Sequence, residues 1–547
     1  MKNPILFRSH SNAARPVRNT VAKTVALVGS VAFFLASIPH ASAQVFTAGN
    51  LVVSRSVYTG TASTVTIGQA LPGGGTAVVN GSYPGVWANE APDPSFGVTS
   101  PIFLDEITTS GTLITSLPLA STAVGTAVNT SFSSKSEIAL NLSTDGNYLT
   151  FMGYVSPQNE LDVSNSNTPN HVDPTNPVAA SAQRAIVQID ANGNASYTPV
   201  DSYSGNNGRA AILASGNYYT VGNAGNGSGT EPTNIVNNTG VQLTTPGGSA
   251  ETTVIGAQQG TIGASKGFQY GYSVALNGDP IDKSGKDNNF RGETVFNNTL
   301  YVTKGSGSNG INTVYQVGTA GTLPTVATAS TTTISILPGF STTLASASSG
   351  VTFPFGLWFA NATTLYVTDE GADNPTFNGS GVITNPGTTG GLQKWSLVSG
   401  TWILDYELTA GLNLGTQYTV SGYTGPSPAT DGLRNLTGVV NGDGTVTLFA
   451  VTSTESQNTD QGADPNQVVK ITDNLSFTTA AAASGESFAT IDNAQNGEVL
   501  RGVSLAPAAV PPSAIPALPT WALAGLTFIV FAAGVFYIKQ KQSRRIA

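Results

Sequence analysis

The chain has 547 residues, with 22 basic side chains, 31 acidic side chains and no cysteine. The missing cysteine excludes disulfides, thiolate metal sites and a cysteine nucleophile. Both ends of the chain lack acidic residues and together hold nine of the basic ones, so the middle has 13 basic against 31 acidic side chains, a net charge of about −18. Such a surface repels phosphate backbones, which proteins bind through Lys and Arg. We therefore expect no nucleic-acid partner.

The N-terminus has the order of segments typical of a secretory signal. Five basic residues without an acidic one precede an apolar run over 24–37, and Ala41, Ser42 and Ala43 follow that run. This order predicts a signal peptide over residues 1–43, cleaved after Ala43. The alternative is a retained membrane helix. It is disfavoured because the run is well short of the roughly 20 residues that a bilayer requires.

The C-terminus carries a second apolar segment. Residues 521–538 are apolar throughout, and the basic tail over 539–547 follows directly. A stretch of about 18 residues is just long enough to span a membrane, and basic residues after a span favour the cytoplasmic side for that end. We predict a transmembrane helix over 521–538, a cytoplasmic tail over 539–547 and an exported middle. The middle would lie in the periplasm, at the cell surface or outside the cell, with an inner-membrane anchor before processing.

A Pro- and Ala-rich linker over residues 509–520 connects the middle to this segment, and a short motif closes it. The motif positions are Ile515, Pro516, Leu518 and Trp521. Together with the apolar helix and the basic tail, they resemble the IPTL type of PEP-CTERM-like sorting signal. The resemblance implies that a membrane protease cuts near the motif and releases the exported protein or re-attaches it at the envelope. An ordinary tail anchor is the alternative.

Removal of the signal peptide leaves His171 as the one histidine of the chain. A multi-histidine zinc or copper site is therefore excluded, and any Ser-His-Asp triad would depend on His171. The neighbouring Asn, Asp and Pro residues predict an exposed loop around it. We assign no catalytic residue.

Residues 44–508 are rich in Gly, Thr, Ser, Asn and Val, which favours short strands and tight turns and predicts an all-β domain. Hairpins of two kinds alternate along it, each with a turn whose Gly or Asn tolerates positive φ. The inner hairpins cover residues 138–154, 210–222, 293–304, 357–369 and 437–452. The outer hairpins cover residues 101–119, 184–200, 241–255, 313–327, 391–408 and 468–478.

Two lone strands, 50–57 and 501–506, lie at the ends of this domain. They predict a β-propeller of six four-stranded blades, closed when the N- and C-terminal strands pair in the first blade. Seven blades are the alternative, since 331–337 and 418–421 are candidates for further strands. A right-handed β-solenoid is third, because even hairpin turns disfavour winding in one direction. Through residues 49–53, 103–106, 145–149, 364–367 and 501–507, the domain resembles bacterial exported proteins with a propeller-like fold.

Arginine opens several of the predicted innermost strands. The ligand-face candidates are Arg209, Arg291, Arg434 and Arg501. They would surround the central channel on the face that gathers the long loops, where forked guanidinium donors suit carboxylates or sugar acids. The alternative is that each is a structural residue of the repeat, and their recurrence at equivalent positions favours that role.

Asp369, Asp373 and Asp464 lie in loops that share a Gly-Ala-Asp element. Their hard oxygen ligands predict a calcium site. The alternative is that they cap turns, as Asp commonly does in loops. Calcium is the one cofactor that the sequence points to.

These features favour a non-enzymatic binding or structural protein of the cell surface or extracellular matrix, with carbohydrate or a surface protein as partner. The rival is an extracellular polysaccharide hydrolase or lyase. Its carboxylates would come from Asp369, Glu370, Asp373, Asp431 and Glu455. Converging carboxylates in a deep cleft would favour the enzyme, whereas a filled, shallow channel mouth would favour the binding protein.

Overall fold

The computed structural model describes residues 45–89, 96–119, 128–179, 182–225, 233–256, 273–275, 288–307, 310–372, 374–386, 390–458, 461–509 and 520–544. The chain divides into two compact units, residues 1–43 and 44–547, and every described residue belongs to the second unit.

Almost all regular structure is β. The strands of the first half are β1 (Leu51–Val57), β2 (Thr99–Ser100), β3 (Ile102–Ile107), β4 (Leu113–Pro118), β5 (Val128–Ser131), β6 (Asn141–Leu142), β7 (Tyr148–Val155), β8 (Arg184–Asp190), β9 (Ala195–Val200), β10 (Gly208–Ala214), β11 (Asn217–Gly222), β12 (Gly240–Thr244), β13 (Thr253–Val254) and β14 (Ser273–Ala275). The strands of the second half are β15 (Glu293–Phe296), β16 (Thr299–Lys304), β17 (Thr313–Val317), β18 (Thr333–Ile336), β19 (Pro354–Asn361), β20 (Thr364–Asp369), β21 (Thr376–Phe377), β22 (Ile383–Asn385), β23 (Leu392–Val398), β24 (Thr401–Leu408), β25 (Ala429–Val440), β26 (Thr445–Glu455), β27 (Gln467–Asn474), β28 (Ala489–Asn493) and β29 (Glu498–Leu505). The α-helices are α1 (Thr233–Val236) and α2 (Thr520–Ser543).

Six sheets, each with four consecutive antiparallel strands, form the blades of a propeller, which confirms the predicted fold. From the centre outwards they are β29-β1-β3-β4, β6-β7-β8-β9, β10-β11-β12-β13, β15-β16-β17-β18, β19-β20-β23-β24 and β25-β26-β27-β28. Each innermost strand contacts the innermost strand of the next blade, and β25 contacts β29 to complete the circle. Since both faces of a blade are covered by its neighbours, inner strands such as β10 are buried along their whole length, whereas the outer strand β24 alternates between buried and exposed residues.

The first blade joins the two ends of the domain, as the lone strands predicted. Strand β29 pairs with β1 in antiparallel register from Leu51 opposite Leu505 to Val57 opposite Glu498. Arg55 strengthens this closure, since its Nε lies 2.5 Å from Asp105 of β3 and its Nη1 lies 2.6 Å from Glu498 of β29. One side chain thus joins three strands of the closing blade.

A recurring hydrogen bond joins neighbouring blades. A buried Ser or Thr hydroxyl on the second strand of a blade donates to a backbone carbonyl on or just before the innermost strand of the next blade. The bonds run from Ser54 to Ile138 (2.6 Å), from Thr150 to Ala211 (2.6 Å), from Thr303 to Phe355 (2.5 Å) and from Thr368 to Arg434 (2.5 Å). They occur in blades one, two, four and five, so the same contact recurs around most of the ring.

Glycine permits this close approach. A Cβ at Gly292 would lie 2.2 Å from the carbonyl oxygen of Phe355, and one at Gly356 would lie 2.5 Å from that of Arg434. Any larger residue would push the next blade away, because real side chains do not approach a carbonyl that closely. The Gly that follows Arg291 is thus required by the packing of blades.

Two outer hairpins differ from the predictions. In blade four the segment 313–327 was expected to hold both strands, but the outer strand is β18, which lies further along the chain and pairs with β17. Pro324, in the segment that connects β17 to β18, has no backbone N–H to donate to a neighbouring strand. Ile334 and Ile336 of β18 instead pack on the hydrophobic core. In blade six, β27 pairs with β28 and not with the residues directly after its turn.

The positions of these strands also determine the number of blades. The segment 331–337, a candidate for a seventh blade, supplies β18 to the fourth. The segment 418–421 forms no strand. The described sheets therefore account for six blades.

The C-terminal helix α2 covers the predicted apolar segment. Within the part of the chain that the structure describes, no helix is both long enough and apolar enough to cross a membrane, so the predicted transmembrane helix is not confirmed. Of the sorting motif, Ile515, Pro516 and Leu518 lie outside the described residues, and Trp521 belongs to the first turn of α2.

Deleting residues 501–507 should abolish the cooperative thermal transition of the whole domain, because it opens the first blade and exposes the edge of β1. Circular dichroism melting measures this. Deleting residues 509–515 from the linker removes as many residues but keeps β29, and it is the matched control. Equal melting temperatures for the two deletions would mean that stability is a sum of neighbouring blades, as in linear repeats.

Replacing Thr368 by Val should lower the free energy of unfolding by about 1–3 kcal/mol, since the Arg434 carbonyl and the Gly356 N–H each lose a buried partner. Urea unfolding followed by tryptophan fluorescence measures the loss. Thr478→Val is the control, because Thr478 is exposed in a loop. If both variants unfold at the same urea concentration, the hydroxyl bond between blades does not stabilise the ring.

Candidate functional site at the channel mouth

The arginine candidates lie on or beside four innermost strands. Arg209, Arg434 and Arg501 belong to β10, β25 and β29, and Arg291 lies two residues before β15. We call the surroundings of Ser136, Arg209, Arg291, Glu370 and Arg434 the channel mouth. Its members come from blades two to six, so the ring brings together residues that are far apart in sequence.

Arg209 and Arg291 converge on one hydroxyl. The Arg209 Nε donates to Ser136 Oγ over 3.0 Å, and the Arg291 Nη1 donates to the same oxygen over 2.6 Å. Arg209 also donates through Nη1 to the Phe290 carbonyl, at 3.2 Å. Burial, and next the neighbouring charge of Arg291, hold the pKa of Arg209 well below its ordinary value. The guanidinium groups of Arg209 and Arg291 therefore share the Ser136 hydroxyl, which is a neutral acceptor.

Ser136 is held in place by the residue after it. The buried carboxylate of Glu137 accepts hydrogen bonds from Thr130 Oγ1 (2.8 Å) and the Ser131 N–H (2.9 Å). It also accepts from the Tyr154 hydroxyl and from Asn207 Nδ2. The segment that carries Ser136 is therefore fixed to β5, β7 and the start of blade three.

Arg434 has a different environment. Its Nε lies 3.0 Å from Glu370 Oε2, and both side chains are buried. Its Nη2 is also buried, and no acceptor among the described residues lies within hydrogen-bonding distance of it. Glu370 is itself fixed, because its N–H donates to the Phe353 carbonyl over 2.9 Å and its carbonyl accepts from Ser453 Oγ over 2.5 Å.

Arg501 donates hydrogen bonds to backbone groups of neighbouring segments. Its Nη2 donates to the backbone carbonyls of Phe132, at 2.8 Å, and Gly462. Phe132 belongs to an aromatic cluster in which Trp87 stacks on it with ring centroids 5.2 Å apart, and Tyr58 and Tyr83 pack against both rings. Of the four arginine candidates, Arg501 thus best fits the alternative that these arginines are structural residues of the repeat.

Three of the residues with candidate carboxylates lie between blades five and six. Asp369 and Glu370 are adjacent in sequence. The Asp431 carboxylate packs on Gly371, the residue after Glu370, since a Cβ at Gly371 would lie 2.2 Å from Asp431 Oδ2. Asp369, Glu370 and Asp431 are all buried. Burial raises the pKa of Asp369 to about 6, although its carboxylate accepts hydrogen bonds from the Phe353 and Gly371 N–H groups.

Two of the calcium candidates, Asp369 and Asp464, accept hydrogen bonds from other groups of the protein. Asp464 accepts from the Tyr423 hydroxyl over 2.7 Å and from Asn458 Nδ2 over 3.0 Å. Asp369 accepts from the two N–H groups described above, and Asp373 lies outside the described residues. Among the residues that can be described, no three His, Cys, Asp or Glu side chains are grouped as metal ligands. The calcium site stays a prediction.

The prediction that His171 lies in an exposed loop is wrong. His171 is in a loop but is buried, with Nε2 3.0 Å from Glu251 and Nδ1 2.9 Å from Asn238 Nδ2. Loops of the second and third blades pack together there and supply polar partners for a polar segment. A polar sequence therefore does not imply an exposed one.

A buried ion pair that was not predicted from the sequence joins blades five and six. Lys394 Nζ lies 2.8 Å from Asp473 Oδ2, and both side chains are fully buried. The hydroxyls of Tyr366 and Tyr406 donate to the same carboxylate. One signal was present: Lys394 lies two residues after Leu392 on β23, so both side chains lie on the same, buried face, where a charged group requires a counterion.

No protein-family model matches this chain, and no curated protein matches its sequence. Solved structures similar to it include the periplasmic gluconolactonase of Pseudomonas aeruginosa, with a TM-score of 0.33 and 12% identity over 84% of this chain and 99% of that chain. The haemagglutinin-neuraminidase ectodomain of parainfluenza virus 5 has a TM-score of 0.30 and 11% identity over 89% of this chain and 96% of that chain.

A polysaccharide lyase, the ulvan lyase, has a TM-score of 0.27 and 11% identity over 81% of this chain and 97% of that chain.

The raised pKa of Asp369 predicts a pH dependence. Between pH 3.8, its ordinary pKa, and about pH 6, the folded state holds this proton more tightly than the unfolded chain. The free energy of unfolding should therefore fall as the pH rises through this range, by at most about 3 kcal/mol for this group. Urea unfolding at pH 4.5 and at pH 7 measures this change. The free energy of unfolding should fall more between the two pH values for the natural chain than for the Asp369→Asn variant. Equal losses would contradict the raised pKa.

Proposed function

We propose that the protein is an exported propeller that binds a ligand of the cell surface or extracellular matrix at the channel mouth. The signal peptide and sorting motif predicted from the sequence support export, followed by attachment to the envelope or release by a sorting protease. The proposal depends on one observation above all. The guanidinium groups of Arg209 and Arg291, from blades three and four, converge on Ser136 Oγ, and Arg434 of blade six has a buried Nη2 without a hydrogen bond among the described residues.

The electrostatics of this arrangement favour binding. A guanidinium group that donates to neutral acceptors would gain charge-assisted hydrogen bonds from an anionic group of a ligand. Arg209 has neutral hydrogen-bond partners. The ring fixes its position, since β10 contacts the innermost strands of both neighbouring blades. A rigid site that needs no rearrangement on binding loses little conformational entropy.

The rival function is a polysaccharide hydrolase or lyase, and the carboxylates between blades five and six favour it. A buried carboxyl group with a pKa of about 6, beside a second carboxylate, is typical of a general acid. In this proposal Asp369 would be the acid and Asp431 its partner. The Asp369 carboxylate already accepts hydrogen bonds from two backbone N–H groups, and this observation ranks the enzymatic function second.

Incubating the purified protein with the extracellular polysaccharide of its own cells separates the two functions. We expect the protein to sediment with the polysaccharide and to leave the polymer's size distribution unchanged. Shortening of the polymer, lost in Asp431→Asn, would establish the rival function. Failure to sediment with polysaccharide or with washed cell envelopes would contradict the binding function. Heat-unfolded protein is the control for non-specific adhesion.

A further inference from the structure

We propose that the buried ion pair of Lys394 and Asp473 is the precursor of an amide crosslink. The chain forms this crosslink by itself between blades five and six, and Glu486 transfers the protons. The inference goes beyond the proposed binding function and does not depend on it. Its basis is the position of these three side chains and of the hydroxyl groups around the Asp473 carboxylate.

The two groups that would react are already in contact. Lys394 Nζ lies 2.8 Å from Asp473 Oδ2, and neither side chain has any exposed surface. Lys394 belongs to β23 of blade five and Asp473 to β27 of blade six, so folding of the ring brings the amine and the carboxyl group together. Holding two reactants in one place makes their reaction effectively unimolecular, which removes a large part of its barrier.

Fixed hydrogen bonds surround the carboxylate and the amine. The Tyr406 hydroxyl donates to Asp473 Oδ1 over 2.5 Å, and the Tyr366 hydroxyl donates to Oδ2. An attacking amine pushes negative charge onto these oxygens, and fixed donors stabilise that charge. Lys394 Nζ also donates to the Tyr406 hydroxyl over 3.0 Å and to the Asn474 carbonyl over 2.7 Å. These acceptors hold the nitrogen at the carboxylate.

Glu486 is placed to transfer protons. Its Oε1 accepts from the N–H of Asn474, the residue after Asp473, over 3.0 Å. Its Oε2 is buried and accepts no hydrogen bond from the described residues. Burial, and next a hydrogen bond to Asp473, raise the pKa of Glu486 to about 8. The Glu486 carboxyl group is therefore protonated at neutral pH and can donate to the Asp473 carboxylate as a general acid.

The apolar surroundings favour the amide over the ion pair. Tyr366 and Tyr406 belong to a core cluster that also contains Leu392, Leu408 and Phe488. Two charges are costly to bury in such a medium, whereas an amide is neutral. The chain has no cysteine, so no disulfide can join its blades. An amide would supply the covalent link that disulfides supply in many exported proteins.

The reaction balances within these three side chains. The Lys394 ammonium group passes one proton to the Asp473 carboxylate, and the neutral nitrogen attacks Cγ. Glu486 protonates the leaving oxygen and recovers a proton from the nitrogen. One C–N bond forms, one C–O bond breaks, and one water leaves with two lysine protons and one aspartate oxygen. The two charges disappear together, and no oxidant or reductant is needed.

Trypsin digestion of the denatured full chain, followed by tandem mass spectrometry, tests the crosslink. Trypsin does not cut after an acylated lysine, so we expect one branched peptide that joins residues 305–434 to residues 471–501, with the mass of both less one water. In Glu486→Gln the branched peptide should be lost, and trypsin should cut after Lys394. Lys470→Arg keeps every tryptic site and should retain the branched peptide, so it is the matched control.

Lys394→Arg keeps the charge but removes the nucleophile, and it should also lack the branched peptide. Circular dichroism checks that the variants fold, and Glu486→Ala replaces Glu486→Gln if the latter does not. Complete cleavage after Lys394 in the natural chain would overturn the proposal and leave an ordinary ion pair. An equal amount of branched peptide in a folded Glu486 variant would overturn the role of Glu486. Neither result affects the proposed binding function.

Discussion

The hydroxyl-to-carbonyl hydrogen bond between neighbouring blades is the contact on which the rest of the structure depends. Thr368, for example, accepts from the N–H of Gly356 in its own blade and donates to the carbonyl of Arg434 in the next. It therefore fixes the distance between two innermost strands and, with it, the position of the arginine that β25 carries. Gly356 permits this short distance, because a Cβ there would lie 2.5 Å from the Arg434 carbonyl oxygen. Blade packing and the geometry of the channel mouth thus have a common cause.

Much of the fold could be predicted from the sequence, because tight turns carry local signals. Asp145-Gly146 and Asn297-Asn298 both stand at turns, and Gly146, Asn297 and Asn298 have positive φ values there. The closing strand was predictable because a lone strand stood at each end of the domain. The outer strands β18 and β28 were not, because long loops precede them and alternation does not reveal how long a loop is. Their partners were decided by packing against neighbouring blades.

The candidate site was predictable in part. The recurrence of arginine before innermost strands placed Arg209, Arg291 and Arg434 near the centre, but it did not separate them from Arg501, which donates to two backbone carbonyls. Glu370 lies 64 residues before Arg434, and Ser136 lies 155 residues before Arg291. Nothing local in the sequence signals contacts at that separation. Only the closed ring brings them together.

The pairing of β1 with β29 also has a consequence for biogenesis. Arg55 and Glu498, which meet in the first blade, are 443 residues apart in the chain. If the protein crosses a membrane from its N-terminus, β1 must wait with an unpaired edge until nearly the whole domain has emerged. Contacts so distant in sequence form slowly, so the chain stays unfolded during passage, the state that a narrow translocation pore requires. The last strand to emerge then completes the first blade.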